Sequence, residues 1–465
     1  MDEGNATFTK IFEYLNIFQR ESILTLSPLG AAAEISANDT HIYTIPPELK
    51  DSLLSLSTCT QPDQNYKSLE LVVGKTRYSG EGGLVTYSAG GLDVVQVIAP
   101  QGEGSWTYEL GVGPSASYAL NETVTDLFFV DSDFANSLLV TSPLTELQEN
   151  LTNIVLLKDW GDSNPVVTID SLEISLYTSL VNTSNVLYRS YCAIHNNGPL
   201  LNQKNADLSY TNRGTKHQTR AQYLLPGLNH STEYVAYLTY ANAQLNSSAS
   251  PPPLGGISLG QASFSTTGSF SCQLVYNMTF CSEMAFAVPG NASAFSVNEL
   301  TMFYDNMARK RYENFSKSLE QELCQGKLDD RYSVLRSCGD CDSSYRNWLC
   351  AITVPRCADW SSNGSYLHPR PKGQSRNPEI NKYIDPGPYK EVLPCKELCY
   401  DLVRDCPASL GFSCPNKHMI NLSYGSMSDD GYVTCSYPGA VFFEDAAHRM
   451  TPPWLLLLFM LFLFL

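Results

Sequence analysis

Long hydrophobic runs are missing from this sequence. Apart from Trp454 to Leu465, no stretch approaches the roughly 18 consecutive apolar residues a spanning helix needs, so the chain cannot line a helical pore alone. Basic residues are also scarce. Thirty Lys and Arg face 47 Asp and Glu, for a net charge of −17, which argues against nucleic acid as a partner because phosphates need a basic surface. The seven histidines (His41, His195, His217, His230, His368, His418 and His448) form no pair at helical or zinc-finger spacing. No Gly-x-Ser-x-Gly elbow occurs, and the glycine clusters close with no Lys-Ser/Thr as a phosphate loop would. A non-enzyme without cofactor or resident metal is expected. Met1 to Arg20 opens acidic and has no apolar core of a secretion signal, which reads as a misplaced or truncated start.

Cysteine is scarce in one half and dense in the other. Only Cys59 and Cys192 precede Cys272 and Cys281, and ten of the 14 cysteines then fall between Cys324 and Cys435. These ten are Cys324, Cys338, Cys341, Cys350, Cys357, Cys395, Cys399, Cys406, Cys414 and Cys435. Such density predicts a fold held by disulfides, hence an oxidising compartment. Cys272 and Cys281 are close enough in sequence to pair with each other. Cys338-Gly-Asp-Cys341 has redox spacing, but among eight further cysteines it is read as structural.

Twelve of 30 asparagines stand in Asn-x-Ser/Thr, against about five expected by chance. They are Asn5, Asn38, Asn121, Asn150, Asn182, Asn229, Asn246, Asn277, Asn291, Asn314, Asn363 and Asn421. Their spread predicts a glycoprotein exposed along its whole length to the secretory lumen and then the cell exterior. The apolar tail, as a helix, spans about 18 Å of a roughly 30 Å hydrocarbon core. It reads as a lipid-anchor (GPI) attachment signal, with Gly439 or Asp445 as the attachment residue. The expected location is the extracellular face of the plasma membrane.

The predicted fold is multidomain: an N-terminal all-β, sandwich-like region followed by a mostly α-helical, disulfide-rich domain. Residues 1–66 carry little pattern beyond a short helix at Ile11 to Phe18. Residues 67–163 show short β-prone runs (Leu69 to Val73, Leu84 to Tyr87, Val94 to Ala99, Trp106 to Leu110) between glycine turns. Residues 164–268 read as a second β-unit with strands at Val166 to Ile169, Glu173 to Leu180, Ala221 to Leu225 and Tyr234 to Tyr240. In it, Tyr223 to Leu228 followed by Thr232-Glu-Tyr234 has the pattern of a fibronectin-type tyrosine corner. Residues 269–436 combine an amphipathic helix (Leu300, Phe303, Met307, Phe315, Leu319, Leu323) with the cysteine block, and 437–465 are spacer and anchor signal. Asp131 and Asp133 are a weak calcium-binding candidate, having neither a glycine turn nor a closing Glu.

Two family resemblances follow. Cys341-x8-Cys350-x6-Cys357, then Pro394-Cys-Lys-Glu-Leu-Cys399 and Leu402-Val-Arg-Asp-Cys406, resembles a Frizzled-type cysteine-rich domain, which implies five disulfides over a few helices. Phe280-Cys-Ser-Glu-Met-Ala-Phe-Ala-Val-Pro-Gly290, with Trp106 to Val112 and Phe129-Val-Asp-Ser-Asp133 upstream, resembles the fungal stretch-activated calcium-channel component, the regulatory subunit of a high-affinity calcium influx system. That resemblance implies an extracellular auxiliary subunit needed for calcium influx, partnered with a large four-repeat pore protein similar to voltage-gated calcium channels. The auxiliary factor of the animal sodium-leak channel shares this cysteine-rich domain. The long, Pro-rich segment from Tyr366 to Pro394 is locally basic, and Arg370, Lys372, Arg376 and Lys382 are expected either to contact the partner or to decorate a solvated loop. The competing reading is a stand-alone, anchored cell-surface receptor or cell-wall interaction protein that binds a lipid or glycan.

Overall fold

The computed structural model describes residues 21–25, 31–45, 53–62, 68–79, 84–88, 94–113, 126–148, 172–178, 191–196, 200–202, 205–213, 218–241, 256–322, 332–333, 335–428 and 433–440. The helix expected at Ile11 to Phe18, the strand at Val166 to Ile169, Cys324, Asp445, the apolar tail and the sequons at Asn5, Asn121, Asn150, Asn182 and Asn246 lie outside these residues.

Alternating burial is plainest in β5 (Glu70–Val73), where Leu71 and Val73 turn inward and Glu70 and Val72 do not. Among the described residues the first β-unit has nine strands: β1 (Glu21–Thr25), β2 (Ala31–Ser36), β3 (Thr40–Thr44), β4 (Leu53–Thr60), β5, β6 (Thr76–Ser79), β7 (Leu84–Ser88), β8 (Val94–Ile98) and β9 (Ser105–Gly113). They form two sheets, ordered β1-β3-β8-β5-β6 and β2-β9-β4-β7. Tyr43, Leu71, Val95 and Val97 of one meet Ile35, Leu54, Leu56, Trp106, Tyr108 and Leu110 of the other. Four of these strands fall within residues 21–60, a stretch with little hydrophobic pattern. The β2–β3 turn closes on Gly102 to Gly104. Gly104 has φ +109°, and a Cβ there would lie 2.6 Å from Pro62 Cγ, so only glycine fits.

The second unit pairs sheet β10-β11-β15-β14 with sheet β13-β12-β16-β17. Its strands are β10 (Leu127–Ser132), β11 (Ser137–Thr141), β12 (Leu172–Thr178), β13 (Leu201–Asn202), β14 (Asp207–Arg213), β15 (Gln218–Leu225), β16 (Glu233–Ala241) and β17 (Gly256–Ser265), with helix α1 (Tyr191–Asn196) before β13. Ala221, Tyr223 and Leu225 of β15 enter the core between these sheets. The Tyr234 hydroxyl accepts the Asn229 N–H at 2.8 Å and clips the β15–β16 connection, as the tyrosine-corner pattern predicts.

The opposite face of sheet β10-β11-β15-β14 is also covered. Phe128, Val130, Leu138, Val140 and Leu224 pack against Leu274 and Ala285 of the cysteine-rich part, making this the middle layer. The cysteine-rich part carries two small sheets, β18-β19 (Cys272–Val275, Phe286–Pro289) and β20-β22-β21 (Arg356–Ala358, Tyr389–Val392, Leu367–Arg370). Its helices are α2 (Val297–Leu319), α3 (Cys338–Thr353), α4 (Pro378–Tyr383), α5 (Lys396–Asp405) and α6 (Lys417–Ser423).

The expected fold class is therefore corrected. Among the described residues the chain is β-dominated, with its strands in six sheets, and its C-terminal part is not the mostly α-helical cysteine-rich domain anticipated. Long periodic helices such as α2 announce themselves in sequence. Strands of three or four residues such as Arg356–Ala358 are too short to show alternation, and Pro369 inside β21 masks another.

Candidate functional site

The junction between the middle sheet and the cysteine-rich part holds buried charges of both signs. In β10 the register shifts between Phe129 and Asp131, and this bulge turns the Asp131 carboxylate toward the junction. There Arg356, 4% exposed, donates to Asp131 Oδ2 from Nε at 3.1 Å and to the Val130 carbonyl from Nη2 at 2.7 Å. Ala287 N–H also donates to Asp131. Burial pushes the Asp131 carboxyl upward, and Arg356 and that N–H pull against the shift. Asp133 is fully buried. It accepts the N–H groups of Ala135 (2.8 Å), Asn136 (2.7 Å) and Leu274 (2.8 Å). The two carboxylates considered for calcium are thus committed to protein donors and stitch the layers together.

Inside the cysteine-rich part, Asp305 of α2 gathers the turn that precedes β19. It accepts from Phe280 N–H (3.0 Å), Cys281 N–H (2.9 Å) and the Thr279 hydroxyl (2.8 Å). Among the described residues the disulfides include Cys272–Cys357, Cys281–Cys350, Cys341–Cys406, Cys395–Cys435 and Cys399–Cys414. Cys272 and Cys281 do not pair with each other, because β18 directs Cys272 toward β20 while the following turn delivers Cys281 to α3. Cys338 and Cys59 are also disulfide-bonded. Cys341 is joined to Cys406, so Cys338-Gly-Asp-Cys341 is not a redox pair. Cys395, Glu397 and Cys435 lie together, but the two sulfurs are bonded to each other and cannot serve as metal ligands.

The segment from Tyr366 to Pro394 is a folded element, with β21, α4 and β22 in it. Arg370 Nε lies 2.6 Å and Arg376 Nε 2.9 Å from the fully buried Glu391 carboxylate. These two bases clamp an internal acid. Lys372 is exposed and pairs with exposed Asp385 at 3.2 Å, and Lys382 stands 4.9 Å from the Tyr383 ring centre. Only the two lysines present charge outward.

Of the seven described sequon asparagines, Asn38, Asn229, Asn277, Asn314, Asn363 and Asn421 are exposed and Asn291 is half-buried. Gly439 is buried, and its N–H donates to the Glu283 carbonyl at 3.0 Å, which makes it a poor attachment residue for a lipid anchor. Beside this strap lies a cavity of about 210 Å³, walled by Phe280 to Met284, by Asp342, Arg346 and Asn347 of α3, and by Pro438. The Arg346 guanidinium stacks over Phe280 and Tyr312 at 5.0 and 5.1 Å and so closes one side. No helix among the described residues is long and apolar enough to cross a membrane.

Together these features define a disulfide-stapled, layered protein whose buried charges hold the cysteine-rich part against a β-sheet. The chain belongs to the Mid1 family of stretch-activated Ca2+-permeable channel components, whose family model matches residues 53–441. It is 38% identical over 359 residues to the stretch-activated cation channel yam8 of Schizosaccharomyces pombe, covering 76% of this chain and 68% of that protein. It is 32% identical over 362 residues to the stretch-activated cation channel MID1 of Saccharomyces cerevisiae, covering 72% of this chain and 63% of that protein. A 30% identical match over 197 residues links it to MID1 of Cryptococcus neoformans. The matched region thus spans about two thirds of the two yeast proteins' own lengths.

Proposed function

We propose that this chain is the extracellular auxiliary subunit of a plasma-membrane calcium channel, and that it acts on a separate, large four-repeat pore protein. The observation that carries this reading is the family match, which takes in the middle sheet, the junction and the whole described cysteine-rich part. Three features support the finer reading. The disulfides belong to an oxidising compartment. Six of seven described sequon asparagines are open to glycosylation. No described helix can span a bilayer, which favours a separate pore. The stapled cysteine-rich part would serve as a preorganised docking body that loses little entropy on association. Lys372 and Lys382 are the candidate contacts that remain from the basic segment, and lipid anchoring would fall on Asp445 rather than buried Gly439.

Mild-detergent purification of the full chain from its native membrane tests this. A stoichiometric four-repeat channel protein should copurify. The double variant Lys372→Glu, Lys382→Glu should weaken that recovery roughly tenfold while secretion is unchanged. Isolation without any channel protein, under conditions that keep other membrane complexes intact, would refute the proposal and favour the stand-alone receptor.

A further inference from the structure

In this acidic chain, three arginines are buried among the described residues: Arg213, Arg220 and Arg356, at 1%, 3% and 4% exposure. All three lie at the junction. On β15, Arg220 and Gln222 share the face of Leu224, which packs on Leu274, and Arg213 of β14 reaches Gln222 from the adjoining strand. Their surroundings differ. Arg356 has the Asp131 carboxylate, and Arg220 donates to the Thr141 carbonyl at 3.0 Å. Arg213 has one neutral acceptor, Gln222 Oε1, at 2.9 Å from Nη2. Its Nε and Nη1 are buried and have no hydrogen-bond partner, which leaves three N–H donors unspent.

The charges around Arg213 do not balance it. Arg356 and Arg220 repel it, Glu283 attracts it through space, and burial lowers its guanidinium pKa to about 9. Gln222 has its amide committed to Ser209 Oγ and Asn277 Oδ1, which fixes its carbonyl oxygen toward Arg213. A buried guanidinium with no carboxylate in contact is strongly disfavoured. Water could accept the spare N–H groups but would leave the charge uncompensated. An anion meets both requirements, and complete burial restricts it to a small one.

We propose that Arg213 binds a small inorganic anion of chloride size, held between the middle sheet and the cysteine-rich part by the unspent Nε and Nη1 donors. The ligand supplies the contacting counter-charge that Arg213 lacks and joins the two layers beside the Asp131–Arg356 pair. This site is independent of the channel reading.

Two measurements on the full, disulfide-bonded chain test it. Crystals grown in bromide should show an anomalous peak within about 3.5 Å of the Arg213 guanidinium. The melting temperature should rise by about 1–2 °C per tenfold increase in chloride when gluconate holds ionic strength constant. R213M should abolish that increment. If R213M does not fold, the bromide peak in the native chain decides. A melting temperature that follows ionic strength alone, together with no anomalous peak at Arg213, overturns the proposal.

Discussion

Asp405 ends α5, where the helix dipole disfavours a negative charge, yet it is only 5% exposed at the side chain. Its carboxylate is held by Arg336 at 3.0 Å, Arg404 at 2.7 Å and the Ser344 hydroxyl at 2.6 Å. Burial raises its pKa, but the Arg404 and Ser344 hydrogen bonds outweigh that, and the net shift is downward. A depressed carboxylate contributes stability that is full above its unfolded value of about 4 and is lost as pH falls through the folded value. Asp405→Asn should therefore cost roughly 1–3 kcal/mol at neutral pH, because it weakens the charge-assisted hydrogen bonds to a buried carboxylate while exposed Arg404 keeps Asp401. The cost should shrink toward pH 2, as denaturant titrations across pH will measure. Neighbours of this kind explain which residues the sequence misassigned. Arg370 and Arg376 look like a basic surface when charges are counted along the chain, but Glu391 lies 15 or more residues away and comes to them only through the β21–β22 pairing. Asp131 and Asp133 look like cation ligands for the same reason. Tyr234 was legible because its partner Asn229 is five residues away.

Helix α2 is the element most readable from sequence. The spacing of Leu300, Met307, Phe315 and Leu319 marks its buried face, and all four are buried. Its start is also local. Ser296 and Glu299 form a reciprocal capping box, with Ser296 N–H donating to Glu299 at 2.9 Å. Ser296→Ala should destabilise the protein by about 1 kcal/mol, and hydrogen exchange should rise first in the turn after Val297. An unchanged melting temperature would mean that packing on β18 alone fixes this end. The strands of residues 21–60 were not legible, because their pairing is set from afar. β3 is bracketed by β1 in parallel and β8 in antiparallel register, 50 or so residues further on. The short strands of the cysteine-rich part owe their positions to cross-links and ion pairs, which a periodicity search does not see.

At the scale of the whole molecule, sequence distance was a poor guide to disulfide pairing. Cys272 and Cys281 are near neighbours, yet they close loops of 85 and 69 residues and tie the β18–β19 hairpin to β20 and to α3. Cys272–Cys357 matters most for the layered arrangement. Its first cysteine begins the strand that packs on the middle sheet, and its second follows Arg356, the partner of Asp131. If a cross-link acts mainly by limiting the unfolded chain, its contribution grows with the loop it closes. Replacing Cys272 and Cys357 with serine should then cost about 4–5 kcal/mol, against about 3 kcal/mol for Cys399 and Cys414, which close a loop of 15. The two double variants should also fail differently. Loss of Cys272–Cys357 should raise hydrogen exchange at Leu274 and Ala287, whose N–H groups bond Asp133 and Asp131, while α5 stays protected. Loss of Cys399–Cys414 should loosen α5 and leave the junction closed. Equal losses in both places would mean that the cysteine-rich part and the middle sheet unfold as one cooperative unit, with the buried Asp131–Arg356 contact rather than the disulfide carrying the coupling.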